Sequence, residues 1–162
     1  MLKHLFFWSI MSFLLACNSN SAANEHEIPT VSICDSIQNN SNFLVDDTLK
    51  HFDPAKGIPK NLQESFVVLD SLTSPKFKRY LECVEENALA SFHFGLGMWL
   101  RNNWGLWAGS ELNTYFQEKG IFHPDDMSSI IITSYYRYIH QEELKLDEQV
   151  DFFKQYWEEE NN

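Results

Sequence analysis

The chain has 162 residues, of which 44% are hydrophobic and 15% are aromatic. This length and composition suit one ordinary domain with a buried core. The formal net charge of −11 at pH 7 repels phosphate backbones, which argues against nucleic acid as a partner. The same charge opposes adsorption to an anionic membrane surface, so membrane attachment would need another source of affinity.

The N-terminus contains a candidate for that source. Lys3 and His4 precede an apolar run over residues 5–15, and Ala16 and Cys17 follow it. As a helix this run would be about 16 Å long, too short to cross about 30 Å of hydrocarbon. A short apolar run that ends in a small residue is typical of a secretory signal peptide.

The tetrapeptide Leu-Leu-Ala-Cys at residues 14–17 resembles the lipobox of bacterial lipoproteins. The resemblance implies that residues 1–16 are a lipoprotein signal peptide and that Cys17 carries acyl chains, which anchor the protein in the membrane. The alternative is a plain signal peptide with a chance cysteine at the cleavage position. We predict a lipid-anchored protein of the bacterial cell envelope, and Asn18 favours the outer membrane, facing the periplasm.

The remaining chain divides into three parts by composition. Residues 17–30 follow the lipidated cysteine with small and polar side chains, which predicts a flexible tether. Residues 31–57 alternate short apolar pieces with Asn, Ser, Pro and Gly, which predicts an irregular N-terminal extension. Residues 58–158 carry apolar side chains at helical spacing and are predicted to form the folded domain.

Helical periodicity recurs through residues 58–158 and favours an all-α fold, a compact bundle of about five to six short helices. Asn61 with Glu64 resembles a capping box, and Ser74-Pro75 is typical of a helix start. The predicted inward-facing side chains, helix by helix, are Leu62, Phe66, Leu69 and Leu72; Phe77, Tyr80, Leu81 and Val84; Leu89, Phe92, Leu96, Trp99 and Leu100; Leu112, Tyr115 and Phe116; Met127, Ile130, Ile131, Ser134, Tyr135 and Tyr138; and Val150, Phe153 and Trp157.

The segment 91–109 is unusual in composition because it combines three tryptophans with four glycines. Its periodicity predicts one helix with a core stripe, and His93, Gly97 and Arg101 follow a neighbouring polar stripe. Glycine costs about 1 kcal/mol relative to alanine inside a helix, so two glycines here indicate that another group comes close to the backbone.

Two segments of the domain, HFGLGMWLRNNWGLW at residues 93–107 and HPDDM at residues 123–127, resemble those of an uncharacterised bacterial domain family. The resemblance extends from Ile58 towards the C-terminus. It implies a portable domain, here joined to a lipid anchor, and it implies no activity.

Polar and aromatic side chains of these two segments form a candidate ligand pocket, with the tryptophans as its wall. In the alternative, the acids serve a helix start, His93 and Arg101 bind buried carbonyls, and the tryptophans belong to the core. The candidate pocket residues are His93, Arg101, Asn102, Asn103, Trp104, Trp107, His123, Asp125 and Asp126.

The sequence contains no pattern typical of a metal site, a cofactor site or a serine nucleophile. There is no HExxH, CxxC or calcium-loop pattern, so neither a metal nor another cofactor is expected. Ser110 lacks the GxSxG context of a serine nucleophile, and catalytic residues stay unassigned. Cys34 and Cys83 are the two cysteines beyond Cys17; a disulfide and two unpaired thiols are both compatible with the sequence.

Two functions remain. The first is a membrane-anchored binding module whose helical domain recognises an envelope glycan, peptide or protein partner through aromatic and amide groups. An inhibitor of a basic envelope toxin would be a special case, because the acidic charge suits a basic partner. The alternative is an envelope hydrolase that uses His93 or His123 with an aspartate, beside the aromatic loop predicted at residues 102–109.

Overall fold

The computed structural model describes Cys34 and residues 57–160. The predicted signal peptide, Cys17, the tether and the rest of the extension 31–57 lie outside the described residues. Residues 57–160 contain six α-helices and no β-strand, so the predicted all-α fold is confirmed for this part. The helices are α1 (Leu62–Leu72), α2 (Pro75–Cys83), α3 (Met98–Asn103), α4 (Glu111–Gln117), α5 (Pro124–Ile139) and α6 (Leu146–Glu160).

Local capping determines where the first helices begin. The Asn61 side chain accepts a hydrogen bond from the Glu64 backbone N–H at 2.9 Å, at the start of α1. At the start of α2, the Ser74 hydroxyl accepts from the Phe77 N–H at 3.1 Å, and Pro75 occupies the first helical position. Each cap satisfies a backbone donor that has no partner within the helix, as the sequence predicts.

Helix α5 lies at the centre of the domain and contacts each of the other helices or the segments between them. Met127, Ile130 and Ile131 are completely buried on it, together with the nearly buried Tyr135. Of the predicted stripes, Tyr138 is an exception. It is 46% exposed and stacks on Phe66, with ring centroids 4.9 Å apart. Close packing of apolar side chains around one helix supplies most of the stabilising burial.

The segment 91–109 is not the single helix that its periodicity predicts. A 3₁₀ helix (Glu86–Phe92) and a π-helical turn (His93–Gly97) precede α3. The Met98 N–H donates to the His93 carbonyl, five residues back. Gly95 and Gly97 have low helix propensity and allow this departure from α-helical geometry. The core stripe survives, since Leu89, Phe92, Leu96 and Leu100 are all buried.

None of the helices in the described residues is both long and apolar enough to cross a membrane.

Candidate functional site

Arg101 joins α3 to the start of α5. Its side chain is 6% exposed, and its Nε lies 2.9 Å from Asp125 Oδ1. Nη1 donates to Ser128 Oγ at 2.9 Å, and Nη2 donates to the His93 carbonyl at 3.2 Å. The planar guanidinium therefore binds three groups at once, one of them a carboxylate that compensates its buried charge.

Gly97 makes room for this guanidinium. A Cβ atom at residue 97 would lie 3.0 Å from Arg101 Nη1 and 3.3 Å from the Phe92 carbonyl oxygen. By contrast, a Cβ atom at Gly95 would meet nothing within 4 Å. The close approach that the glycines indicate in the sequence therefore occurs at Gly97, and the group that approaches is Arg101.

His93 lies at the edge of the same cluster. Its ring Nε2 is 3.7 Å from Asp125 Oδ1, the oxygen that Arg101 also binds. The His93 side chain is 36% exposed, and its ring meets the Phe94 ring edge to face, with centroids 4.8 Å apart. Asp125 is 48% exposed, so this edge of the cluster is open to solvent.

A groove begins at His93 and follows the outer face of α5. A cavity of about 710 Å³ lies between the 3₁₀ and π segments and α5. A second cavity of about 310 Å³ continues it towards α6, and the two share Glu86, Ser129 and Thr133. We call this the α5 groove; its lining residues are Glu86, Asn87, Leu89, Ala90, His93, Phe94, Ser129, Ile132, Thr133, Arg137, Glu148, Gln149, Phe152 and Phe153.

An ion pair braces the middle of the α5 groove. Arg137 Nη2 lies 2.6 Å from Glu86 Oε1, and Nη1 donates to the Leu144 carbonyl at 2.8 Å. The hydrogen bonds that Arg137 donates to the Glu86 carboxylate are the main cause that raises the pKa of Arg137 above its ordinary value. The pair links the 3₁₀ segment to α5 and holds the two walls of the groove together.

His123 and Asp126 lie in a different cluster, which α6 completes. The His123 ring stacks on the Trp157 indole, with centroids 3.8 Å apart. Trp157 Nε1 donates to Asp126 Oδ2 at 2.7 Å. Burial raises the pKa of the Asp126 carboxyl, and the hydrogen bond from Trp157 opposes this rise. Adjacent helical residues point about 100° apart, so Asp125 and Asp126 serve separate clusters.

The other candidate pocket residues do not join either cluster. Asn102 is exposed, and Asn103 Nδ2 donates to the Trp99 carbonyl at 2.8 Å. Trp104 is completely buried in the core, where its Nε1 has no hydrogen-bond partner. Trp107 is 61% exposed. Trp104 therefore belongs to the core and Trp107 to the surface, and neither residue lines the α5 groove.

Cys34 and Cys83 form a disulfide, with their Cα atoms 5.2 Å apart. The bond ties a residue of the extension 31–57 to the last residue of α2. Elsewhere in the described part of the chain, no three His, Cys, Asp or Glu side chains lie close enough to hold a metal ion.

The candidate pocket residues do not include several residues of the α5 groove and of the His123 cluster. Ser129, Thr133 and Arg137 of the groove follow Asp125 at intervals of four along α5, and that spacing marks one helical face. Thr133 and Arg137 do fall on the outward face in the sequence pattern. Phe153 and Trp157 carry only a core-type pattern, so no local signal shows that they meet His123 and Asp126.

The described residues thus form a small all-α domain that contains a nearly buried arginine, Arg101, and the α5 groove on its surface. A family model described as "Domain of unknown function (DUF6794)" matches residues 58–139, half of the chain, and the chain belongs to this family. The match ends at the last residue of α5, so α6 lies outside it. No curated protein and no solved structure is significantly similar to the chain.

Proposed function

We propose that the protein is a lipid-anchored lipoprotein of the bacterial envelope whose helical domain binds an extended segment of a basic protein partner. The observation that carries the proposal is the α5 groove, which runs across the domain surface. The Leu-Leu-Ala-Cys tetrapeptide at residues 14–17 supports the anchor on Cys17. Asn18 supports an outer-membrane location, facing the periplasm.

The length of the groove suits a short stretch of extended chain. Its α5 floor extends from Ser129 to Arg137, which is about 12 Å at the helical rise per residue. About four residues of extended peptide cover that distance. Phe94 and Phe152, at the two ends, are 79% and 63% exposed. Exposed aromatic faces supply apolar area for a ligand.

Polar groups in the groove are available to a ligand. No hydrogen bond engages the Asn87 amide or the Thr133 hydroxyl within the described part of the chain. An amide and a hydroxyl can both donate and accept, so they match the N–H and C=O groups of a peptide backbone. The Glu86 carboxylate is already paired with Arg137 and acts as a brace.

The charge around the groove favours a basic partner. Glu148 lines it, and its side chain is 73% exposed. Helix α6, which forms one wall, contains six acidic residues and a single lysine. Electrostatic complementarity raises the association rate and excludes acidic competitors.

The alternative, an envelope hydrolase, has one observation in its favour, namely the proximity of His93 and Asp125. The distance of 3.7 Å is longer than a hydrogen bond, and Arg101 already binds the same Asp125 oxygen. A carboxylate shared in this way orients a general base poorly. The binding function is therefore the better supported of the two.

Site-directed crosslinking in cells tests the proposal. We would place the photoreactive residue p-benzoylphenylalanine at Thr133 in the groove, with Val67 as the control because it is 70% exposed on α1. We expect a discrete adduct with one basic protein from Thr133 and none from Val67. Filling the groove with Ala90→Trp should remove the adduct.

Two outcomes would contradict this function. Equal adducts from both positions, or an adduct that survives Ala90→Trp in a folded variant, would show that the groove does not select the partner. The anchor is tested separately by incorporation of labelled palmitate, which we expect in the wild-type chain and not in Cys17→Ala. This labelling result tests the anchor only, and the crosslinking result tests the groove only.

A further inference from the structure

A pocket of about 550 Å³ lies between the loop that precedes α5 and the second half of α6. It shares Phe153 with the α5 groove and is otherwise lined by different residues. Helix α6 lies outside the part that the family model matches, so this pocket depends on a helix that the match does not include.

Aromatic rings form much of the pocket wall. Phe122 is 65% exposed at one side, and Phe153 lies on α6. The stacked rings of His123 and Trp157 form another part of the lining. The faces of aromatic rings carry negative electrostatic potential, and they attract cations that approach within about 6 Å.

Asp126 is a buried carboxylate in this pocket with little compensation. Its exposure is 8%, and Oδ2 accepts a single hydrogen bond, from Trp157 Nε1. No donor in the described part of the chain reaches Oδ1, and no lysine or arginine there lies within ion-pair distance of Asp126. Oδ1 is not among the fully buried side-chain atoms that lack a partner, so it is open to the pocket. Burial raises the pKa of this carboxyl, while the hydrogen bond from Trp157 and the charge of His123 lower it.

Lys154 lies at the edge of the pocket but does not supply the counter-charge. Its stem crosses Gly120, so closely that a Cβ atom at residue 120 would lie 2.6 Å from Lys154 Cε. Lys154 makes no ion pair with a carboxylate among the described residues. The pocket lining contains the carboxylates of Asp126 and Glu158 and the ammonium of Lys154.

We propose that this pocket binds an organic cation, the alkylammonium or guanidinium end of a basic side chain, with its charge on Asp126 and its stem along the aromatic rings. The described residues hold no group of three metal-type ligands, and aromatic walls favour an organic cation over a divalent metal. The site shares only Phe153 with the α5 groove, and its test does not depend on the proposed function.

The indole N–H of Trp157 offers a direct readout. We would label tryptophans of the full chain with ¹⁵N, assign the Trp157 signal with Trp157→Phe, and titrate n-butylammonium chloride against sodium chloride at equal ionic strength. We expect a saturable shift of the Trp157 Nε1–H signal with n-butylammonium and no saturable shift with sodium chloride.

Variants show whether Asp126 carries the binding. Asp126→Asn keeps a hydrogen-bond acceptor for Trp157 and should weaken binding about tenfold or more, a change that corresponds to about 1.4 kcal/mol. Lys154→Met should tighten binding, because it removes a competing ammonium. Glu118→Gln, an exposed acid on α4's C-terminal side, is the matched control and should leave affinity unchanged.

A shift that does not saturate, or one that sodium chloride reproduces, would overturn the proposal. So would unchanged affinity in an Asp126→Asn variant whose spectrum shows the native fold. If Asp126→Asn fails to fold, Phe122→Ala replaces it, since Phe122 is largely exposed and its loss should weaken binding without unfolding the domain. Full affinity in Phe122→Ala would also contradict the proposed pocket.

Discussion

Arg101 and Asp125 form an ion pair between a nearly buried guanidinium and a half-exposed carboxylate, with 2.9 Å between Nε and Oδ1. The pair connects α3 to the first turn of α5. Its two members differ in burial, 6% exposed against 48%. Because of this difference, removal of Arg101 and removal of Asp125 should lower the free energy of unfolding by different amounts.

Asp125→Ala should destabilise the domain more than Arg101→Met does. The first change leaves a buried guanidinium without its counter-charge, which typically costs about 3 kcal/mol or more. The second leaves only an exposed carboxylate and some lost hydrogen bonds, at about 1–2 kcal/mol. Urea unfolding followed by circular dichroism measures both values. A larger loss in Arg101→Met would show that the pair matters through packing and not through charge.

Gly97→Ala and Gly95→Ala should change stability in opposite directions. A methyl group at residue 97 presses on Arg101 Nη1 and the Phe92 carbonyl, and such overpacking costs about 1–3 kcal/mol. A methyl group at residue 95 meets open space, and alanine gains about 1 kcal/mol over glycine in a helix. Thermal unfolding of the two variants provides the comparison. Equal destabilisation by both would contradict the role assigned to Gly97.

The stability of the domain should depend on pH through Asp126. Burial raises the pKa of this carboxyl in the folded chain, so the folded state binds its proton more readily than the unfolded state. The contribution of Asp126 to the free energy of unfolding therefore falls as pH rises, starting near the unfolded pKa of about 3.9 and ending above the folded one.

Asp126→Asn removes this titration, so its free energy of unfolding should change less with pH across that window. Trp157→Phe should make the free energy of unfolding change more with pH, because it removes the hydrogen bond that lowers the pKa of Asp126. Urea unfolding at a series of pH values measures both slopes. An Asp126→Asn slope that matches the wild type would refute the assignment.

Loss of the disulfide should lower stability substantially. The bonded cysteines are 49 residues apart in sequence, and closing a loop of that size removes unfolded-state entropy worth about 4 kcal/mol. Cys34→Ser with Cys83→Ser should show this loss in urea. Reductant should lower the wild-type midpoint to a similar value and leave the double variant unchanged. A wild-type midpoint insensitive to reductant would contradict the expectation.

Local features of the fold were predictable from the sequence. The caps at Asn61 and Ser74 depend on neighbouring residues only, and the inward stripes follow from helical periodicity. The position of Gly97 beside Arg101 was also apparent, since both follow one polar stripe four residues apart. Such signals are short-range, and a single chain displays them directly.

Features that depend on long-range packing were not predictable. Apolar residues keep helical spacing through residues 93–97, and the glycines there indicate only a low helix propensity. The sequence therefore does not predict the π-helical turn at these residues. Trp157 binds Asp126 across 31 residues of sequence, and its spacing alone resembles that of a core residue. His93 and Arg101 therefore lie in one cluster and His123 in another, because adjacent Asp125 and Asp126 point in different directions from α5.

If Cys17 carries lipid, as proposed, the bond between Cys34 and Cys83 also limits how far the domain can extend from the membrane. With lipid on Cys17, as proposed, the chain from Cys17 to Cys34 spans about 60 Å when fully extended. Any partner must come within that distance of the bilayer, plus the width of the domain. A single protease cut between the bonded cysteines would not release the domain, because Cys34 and Cys83 remain covalently joined. Release would require a cut between Cys17 and Cys34, or reduction in addition to the cut.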